Sequence, residues 1–357
     1  MRDPLENIKP YVREIRPYSL RPEPARVKLN QNENPWDMPV EIKQETLRRL
    51  QDRAWSRYPE FTPSSLIKRL AEFSGWTAEG TLVGNGSNEL IQALLMVTLC
   101  EGKRVLICEP TFALYRQIAT LLGGEVVSVP LSPELTYDVN ALKAVTESIK
   151  PDVTIICSPN NPTGCTIPES ALVSLLEASN GLVAVDEAYR EFAGETAATL
   201  LKQHNNLVVL RTFSKALAMA ALRVGYLLTT PDLAREISKA LLPYHVNSFS
   251  QTAAEVAIEM YESKLKPLVT LILAERDRVF SELSRIPGLD PVPSRANFLI
   301  VRSAIAPRRV FDELLGRGIL IRDVSGYRML QNYFRIGVGT PEENNLLLES
   351  LREIFAA

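Results

Sequence analysis

Short runs of β-branched and apolar residues alternate with helical patterns through the middle of this 357-residue chain, and this alternation constrains its fold most. The segments between the runs have the apolar spacing of amphipathic helices. Such alternation is typical of a mostly parallel sheet whose strands are joined by crossover helices. We therefore predict an α/β fold with seven strands, at Thr81–Val83, Val105–Cys108, Val126–Val129, Val153–Cys157, Leu182–Asp186, Leu207–Arg211 and Val224–Thr229.

The chain on either side of this region has a different character. Residues 1–39 are rich in proline, which removes a backbone donor and disfavours helix in the residue before it, so we expect an extended arm that lies on another surface. After Pro243 a long helical pattern at 250–283 precedes short β-like runs and a last helix from Pro341. We predict an N-terminal arm of residues 1–39, a large domain of residues 40–249 and a small α+β domain of residues 250–357.

Composition excludes several classes of function. Lys and Arg number 40 against 42 Asp and Glu, a net charge of −2, so the chain lacks the basic excess of a nucleic-acid or membrane-surface binder. The only two histidines, His204 and His245, have no ligand-spaced partner, which argues against a metal site. The four cysteines are sparse and the N-terminus has no apolar signal core, so we expect a cytoplasmic protein.

Chemically active residues follow two of the predicted strands. In open α/β sheets, ligands bind at the carboxyl ends of the strands. Asp186 ends a wholly apolar run, and a carboxylate in that position either caps a neighbouring N–H or meets a cation. Lys215 follows another strand at a predicted helix start, beside the apolar segment 216–222. It is either a solvated surface charge or a desolvated amine, and desolvation would make it a nucleophile.

Two loops are expected at the same edge of the sheet. Residues 84–89 open a helical run, where backbone N–H groups can hold an anion, although a turn with Ser87 as the N-cap is the alternative. Residues 158–164 are rich in Asn and Pro and either project Asn161 above the sheet edge or form a plain turn.

Together these residues satisfy the needs of pyridoxal phosphate. This cofactor requires an amine for its aldehyde, an anion near its ring nitrogen, donors to its phenolate oxygen, a phosphate cradle and a flat surface. We predict that Lys215 binds the aldehyde and Asp186 keeps the ring nitrogen protonated, while Asn161 and Tyr189 donate to the phenolate oxygen. Lys215, Asp186 and Tyr189 are the predicted catalytic residues. At the phosphate we predict contacts from the side chains of Thr212, Ser214 and Arg223 and from the backbone amides of Gly86 and Ser87. Against the ring we predict Phe112.

Motifs along almost the whole chain point the same way. They lie at residues 29–35, 57–59, 84–89, 159–164, 186–189, 214–215, 222–225, 247–251 and 334–340. In this order they resemble the fold-type I, pyridoxal-phosphate-dependent aminotransferases of class II, and within that group the histidinol-phosphate aminotransferase family. Any single motif is weak, but the ordered set is highly specific.

The resemblance implies assignments that spacing alone does not give. It implies a homodimer in which Tyr58 reaches the cofactor phosphate of the neighbouring subunit. It also implies that Arg335 and Arg322 bind the anionic group of the substrate, and that Tyr18 in the arm closes over it. The implied reaction is ping-pong transamination between glutamate and imidazole-acetol phosphate in histidine biosynthesis, with Lys215 moving the proton.

Three alternatives remain open, and a fourth, the last below, is disfavoured. An aminotransferase of the same build could act on aromatic amino acids, favoured by an apolar pocket around Phe112 and Trp36. A decarboxylase of amino-acid phosphates would release CO2 instead. A regulator built on an aminotransferase domain would need a basic DNA-binding head, for which the chain has no spare length. A cofactor-free α/β binding module would leave Asp186 and Lys215 without partners.

Overall fold

The N-terminal segment is partly helical, whereas we predicted an extended arm. The computed structural model describes residues 3–17 and 23–356, so the predicted substrate residue Tyr18 lies outside the described residues. A 3-10 turn spans Pro4–Asn7, helix α1 spans Pro10–Glu14 and strand β1 spans Val27–Lys28. Proline starts both helical segments, since the first N–H of a helix has no intrahelical acceptor to lose.

A seven-stranded sheet forms the centre of the molecule and confirms the predicted mostly parallel architecture. Its order is β2-β8-β7-β6-β5-β3-β4. All pairings are parallel except those of β8, which runs antiparallel to both neighbours. The strands are β2 (Thr81–Gly84), β3 (Arg104–Glu109), β4 (Glu125–Pro130), β5 (Val153–Cys157), β6 (Leu182–Asp186), β7 (Leu207–Thr212) and β8 (Gly225–Leu228).

Helices cover both faces of this sheet. Alternate residues of one strand enter different cores: Leu106 packs in one cluster and Ile107 in the other. Burial on both faces explains why the strands read as continuous apolar runs. The helices of this region are α2 (Val40–Leu50), α3 (Ser64–Ser74), α4 (Ser87–Thr98), α5 (Leu114–Leu122), α6 (Val139–Ile149), α7 (Glu169–Ala178), α8 (Arg190–Ala193) and α9 (Pro231–Ser238), with 3-10 turns at Ala197–Leu200 and Ala220–Leu222.

The C-terminal part contains a second, antiparallel sheet of order β12-β13-β10-β9 with its own apolar core. Strand β1 pairs in parallel with β11. A π-helical turn, Tyr261–Leu265, interrupts the helical pattern that we predicted at 250–283. Helix α10 (Ser248–Glu259) spans the predicted domain boundary at 249/250 and packs on α2 and α3 of the predicted large domain, so that boundary stays a prediction. The elements are α10 (Ser248–Glu259), α11 (Lys266–Leu283), β9 (Leu289–Pro291), β10 (Phe298–Ser303), α12 (Pro307–Gly316), β11 (Ile319–Leu320), β12 (Arg322–Asp323), β13 (Tyr333–Gly337) and α13 (Pro341–Ala356).

A buried ion pair joins β7 to the turn after β6. Arg211 Nε lies 2.9 Å from Glu187 Oε2, and the two side chains are 3% and 2% exposed. We expect Glu187→Ala to lower the free energy of unfolding by about 3–5 kcal/mol, because it leaves a buried guanidinium without its counter-charge. Urea unfolding measures the loss. The exposed pair of Glu236 with Lys239 supplies the control, since Glu236→Ala should cost about 1 kcal/mol or less. Equal losses in the two variants would contradict the prediction.

Candidate functional site

A cavity of about 260 Å³ opens at the carboxyl ends of the central strands. Nine of its twenty lining residues end or follow strands β3, β5, β6 and β7, as expected for an open α/β sheet. Its lining residues are Asn30, Gln31, Asn32, Ser87, Asn88, Phe112, Tyr115, Cys157, Asn161, Asp186, Ala188, Tyr189, Thr212, Ser214, Lys215, Arg223, Arg322, Val324, Tyr327 and Arg335.

Lys215 presents its amine to this cavity from a bend after β7, not from the helix start that we predicted. Its Nζ donates to the backbone oxygen of Gln31 at 2.8 Å and lies 5.8 Å from the ring centre of Tyr189. Burial, followed by the nearby charge of Arg335, lowers the pKa of Lys215 from 10.5 to about 8. The amine is therefore far more often neutral at physiological pH than a surface lysine, and a neutral amine is a nucleophile.

The lowered pKa predicts how Lys215 reacts with a small acylating reagent. Below pH 8 the amine is an ammonium ion and unreactive, and above it the amine is neutral. We expect trace labelling with acetic anhydride, followed by mass spectrometry of the Lys215 peptide, to rise through a midpoint near pH 8. Arg335→Gln should move the midpoint upward, since the charge of Arg335 lowers the pKa of Lys215. Labelling that still rises steeply above about pH 10, as for an ordinary lysine, would contradict the prediction.

Asp186 is a buried carboxyl at the end of β6, 3% exposed. Its Oδ2 accepts a 2.6 Å hydrogen bond from the Tyr115 hydroxyl, and its Oδ1 accepts from the backbone N–H of Ala188 at 3.0 Å. Burial raises its pKa, and these two donors oppose the rise. The side chain caps a local N–H, as the alternative interpretation held, and it also lines the cavity, where it can meet a cation.

The hydroxyl of Tyr189 is held by two side-chain amides. Asn32 Nδ2 donates to it at 3.0 Å and Asn161 Nδ2 at 3.3 Å. Because both contacts place a donor on the phenol oxygen, the hydrogen of the hydroxyl remains free to donate elsewhere. Asn32 has a left-handed backbone, with φ of 55°, which asparagine tolerates better than most residues. Tyr189 is therefore oriented as a hydrogen-bond donor in the cavity wall.

A group of polar side chains surrounds the start of α4. The Thr212 hydroxyl donates to Ser214 Oγ at 3.0 Å, and Arg223 Nη1 donates to the same oxygen at 3.1 Å. The helix begins at Ser87 and its N-cap is Gly86. The alternative interpretation, a turn in which Ser87 is the N-cap, is therefore wrong. First-turn N–H groups, a guanidinium and hydroxyls together form a cradle suited to an anion.

Two arginines enter the cavity from the second sheet. Arg322 on β12 and Arg335 on β13 are direct partners in the antiparallel ladder. Arg335 is 7% exposed and donates through Nη2 to the Asn30 backbone oxygen at 2.7 Å and through Nη1 to Asn161 Oδ1 at 2.5 Å. Like charges placed opposite one another on a sheet are destabilising unless an anion joins them, so this pair indicates an anionic ligand.

The cavity brings together nearly all the predicted site residues. Gly86 lies beside its wall, whereas Tyr58 is 80% exposed and stacks on Tyr244 with ring centres 4.5 Å apart. Residues 30–32, Tyr115 and Tyr327 also line the cavity, although we did not predict them as site residues. The polar run at 30–34 was a usable signal for the first group. Tyr115 carried none, since an aromatic residue in an amphipathic helix is usually core.

Residues 3–17 and 23–356 lack two further kinds of feature. None of the helices there is long and apolar enough to cross a membrane. No cluster of three or more His, Cys, Asp or Glu side chains in those same residues could hold a metal ion.

Comparisons with known proteins identify similar chains over nearly the full length. The family model of class I and II aminotransferases matches residues 25–351. A histidinol-phosphate aminotransferase of Chlorobium phaeovibrioides is 38% identical over 355 residues, covering 99% of this chain and 98% of the relative. One from Chlorobaculum parvum is 40% identical over 347 residues, 97% of each chain. The crystal structure of a Sinorhizobium meliloti histidinol-phosphate aminotransferase in complex with pyridoxal-5′-phosphate shares the fold, with a TM-score of 0.88, 24% identity and 98% of each chain covered.

Proposed function

Because the chain belongs to the class I and II aminotransferase family, we propose that it is a pyridoxal-phosphate-dependent transaminase that exchanges an amino group between glutamate and histidinol phosphate. The observation that carries this proposal is one cavity that contains a desolvated lysine amine, a buried carboxyl, an anion cradle and two arginines. The names of the relatives supply histidinol phosphate as one substrate, and the family resemblance implies glutamate as the other. The two arginines suit both.

Two glycines test whether the cavity fits a cofactor with a phosphate group. A Cβ at Gly86 would lie 2.4 Å from Arg223 Nη2, and a Cβ at Gly225 would lie 2.2 Å from Ser87 N. The guanidinium and the helix start therefore approach one another at a distance that only glycine permits. This fit supports Arg223, Ser214, Thr212 and the amides of Gly86 and Ser87 as holders of the phosphate, with Phe112 against the ring.

The remaining wall residues supply the proton chemistry. Pyridoxal phosphate, when bound, withdraws electrons from the substrate Cα through its protonated ring. Asp186 holds the negative charge that keeps a proton on the ring nitrogen, and Tyr189 and Asn161 donate hydrogen bonds to the phenolate oxygen. The Nζ atom of Lys215 moves a proton at the substrate Cα, first as general base and then as general acid, for which a pKa of about 8 is well placed.

The arginine pair explains how one site takes two donors of different shape. Glutamate carries a carboxylate where histidinol phosphate carries a phosphate, and guanidinium groups bind both planar and tetrahedral anions through paired N–H donors. Arg335 is fixed by two hydrogen bonds, whereas Arg322 is only partly buried. We propose that Arg335 and Arg322 together bind the anion, and that Tyr18 closes over the substrate.

Absorbance of the cofactor-loaded protein tests the substrate proposal. Single-turnover amounts of glutamate or histidinol phosphate should remove the visible band, while phenylalanine and tyrosine should act about 10²-fold more slowly, because their side chains carry no anion for the arginine pair. Arg322→Gln should slow both anionic donors and leave phenylalanine unchanged. A faster reaction with phenylalanine would favour the aromatic aminotransferase, and CO2 release would favour the decarboxylase.

An exposed aromatic surface supports the proposed homodimer. Trp55, Tyr58 and Phe61 are 88%, 80% and 64% exposed, and Leu242, in a neighbouring loop, is 72% exposed. Apolar groups of this size rarely face water together on a monomer. We propose that a second copy of the chain covers them and receives Tyr58 at its phosphate cradle.

The four free cysteines also agree with the proposed cytoplasmic location.

Mixing two inactive variants tests the shared site. Tyr58→Ala chains and Lys215→Ala chains each carry one defect. If Tyr58 serves the partner subunit, each mixed dimer has one intact site, so co-refolding should restore activity to about a quarter of the wild-type value. Failure to regain activity in dimers confirmed by sedimentation would contradict the role of Tyr58.

A further inference from the structure

Tyr115 is a fully buried residue of α5 whose hydroxyl contacts Asp186, the predicted partner of the ring nitrogen. We propose that Tyr115 is a positioning residue whose hydroxyl orients Asp186 and keeps that carboxyl ionised, so that the shared proton stays on the cofactor's ring nitrogen. The inference rests on the proposed pyridoxal-phosphate chemistry and adds a residue to it.

The geometry fixes the carboxyl group at both oxygens. The 2.6 Å bond from Tyr115 occupies Oδ2, and the Ala188 N–H occupies Oδ1 from the turn after β6. Two donors approaching from two elements determine the plane of the carboxyl group. Because both neighbours donate, both favour an ionised acceptor over a protonated one. The carboxyl group also lines the cavity, where its remaining lone pairs can accept from a ligand.

The charges around Asp186 show why this donor matters. Burial raises its pKa and the nearby Glu187 charge adds to the rise, whereas Lys215 acts in the opposite direction. The hydrogen bond from Tyr115 is the largest influence that opposes burial. Cys157 is a further titratable neighbour, and burial raises its pKa to well above the physiological range. Burial and the Asp186 charge also raise the pKa of Tyr115, so the phenol keeps its proton and remains a donor.

The ring of Tyr115 has a second contact, which allows the hydroxyl to be tested by itself. It meets Phe112 edge to face, with ring centres 5.5 Å apart and an interplanar angle of 83°. Tyr115→Phe keeps this aromatic contact and the packing of α5, and removes the hydroxyl that donates to Asp186 and also meets the Cys157 thiol. Tyr137→Phe is the matched control, because Tyr137 is also a buried phenol, and it donates to the backbone oxygen of Cys157 at 2.5 Å.

The experiment follows the ring nitrogen directly. Each variant is loaded with pyridoxal phosphate carrying 15N in the ring, and the 15N chemical shift is recorded. In Tyr115→Phe the proton affinity of Asp186 rises, so we expect the resonance to move toward that of an unprotonated pyridine and cofactor affinity to fall about tenfold. In Tyr137→Phe the 15N shift should equal that of the wild type.

The possible results separate the inference from the proposed function. An unchanged 15N shift in a folded, loaded Tyr115→Phe would overturn the inference and leave the transaminase intact. Absence of a bound resonance in the wild-type protein would overturn the proposed function and the inference with it. If Tyr115→Phe does not fold, the Tyr115 hydroxyl proton of the wild type gives the answer. Its resonance should shift when the cofactor binds and shares the Asp186 charge, and a resonance that does not respond would overturn the inference.

Discussion

Replacing Lys215 with alanine is expected to lower multiple-turnover transamination by about 10⁴-fold or more, the largest loss predicted for any single substitution in this chain. A methyl group can neither bind the cofactor aldehyde nor carry a proton to and from the substrate Cα. The Lys215 amine is also the only lysine amine among the residues lining the cavity. Steady-state formation of 2-oxoglutarate from glutamate measures the loss.

The control for this substitution is Lys239→Ala. Lys239 lies on the surface, 63% exposed, and pairs with Glu236. Its removal should leave turnover within twofold of the wild type, as is usual for an exposed ion pair of about 1 kcal/mol or less. Added methylamine offers a second check, because a small amine that enters the vacated volume can accept the proton and restore part of the rate in Lys215→Ala. Undiminished multiple turnover in Lys215→Ala would remove Lys215 from the proposed mechanism.

The second large effect is expected for Asp186→Asn, which should lower turnover by about 10²–10³-fold. The amide keeps the size of the side chain, and its oxygen can still accept the hydrogen bond from Tyr115, so the change removes the charge with little loss of packing. Without that charge the ring nitrogen loses its proton, and the pull on electrons at the substrate Cα weakens. Single-turnover rates with glutamate isolate this step from product release.

The neighbouring Glu187 shows that the effect belongs to the site and not to buried acids in general. Glu187 is equally buried, but it pairs with Arg211, and neither residue is among those that line the cavity. Glu187→Gln should therefore reduce stability more than it reduces the single-turnover rate of the protein that remains folded. Asp186→Asn should show the reverse. If both variants lose rate in proportion to stability, Asp186 has a structural role only.

The strand ends were predictable from the sequence because they combine two local signals, an apolar run and a polar residue that ends it. Asp186 and Lys215 both follow this rule, and both line the cavity. The predicted helix start at Lys215 was wrong, since the apolar segment after it forms a turn and then the 3-10 turn Ala220–Leu222, and its residues Ala216, Leu217 and Met219 pack in the core. Periodicity could not separate those two structures, because both bury apolar residues.

Residues brought in by distant pairing were harder to predict. Asn30 and Asn32 reach the site because β1 pairs with β11 about 290 residues later in the chain, a contact that no local pattern encodes. The π-helical turn at Tyr261–Leu265 was missed for a related reason, since it inserts into a continuous apolar periodicity. Tyr115 reads as an ordinary core residue until the position of Asp186 is known.

The pairing of β1 with β11 has a consequence for how the protein is made. The carbonyl of Asn30 meets Arg335, and the carbonyl of Leu29 meets the N–H of Gly337, only after almost the entire chain has left the ribosome. At a synthesis rate of about 5–20 residues per second, about 15–60 s pass between the synthesis of Asn30 and that of Arg335. A polypeptide released early by the ribosome therefore has the reactive lysine but lacks the arginines proposed to choose its substrate. The residues proposed to give the enzyme its substrate selectivity are therefore among the last parts of the site to be synthesised.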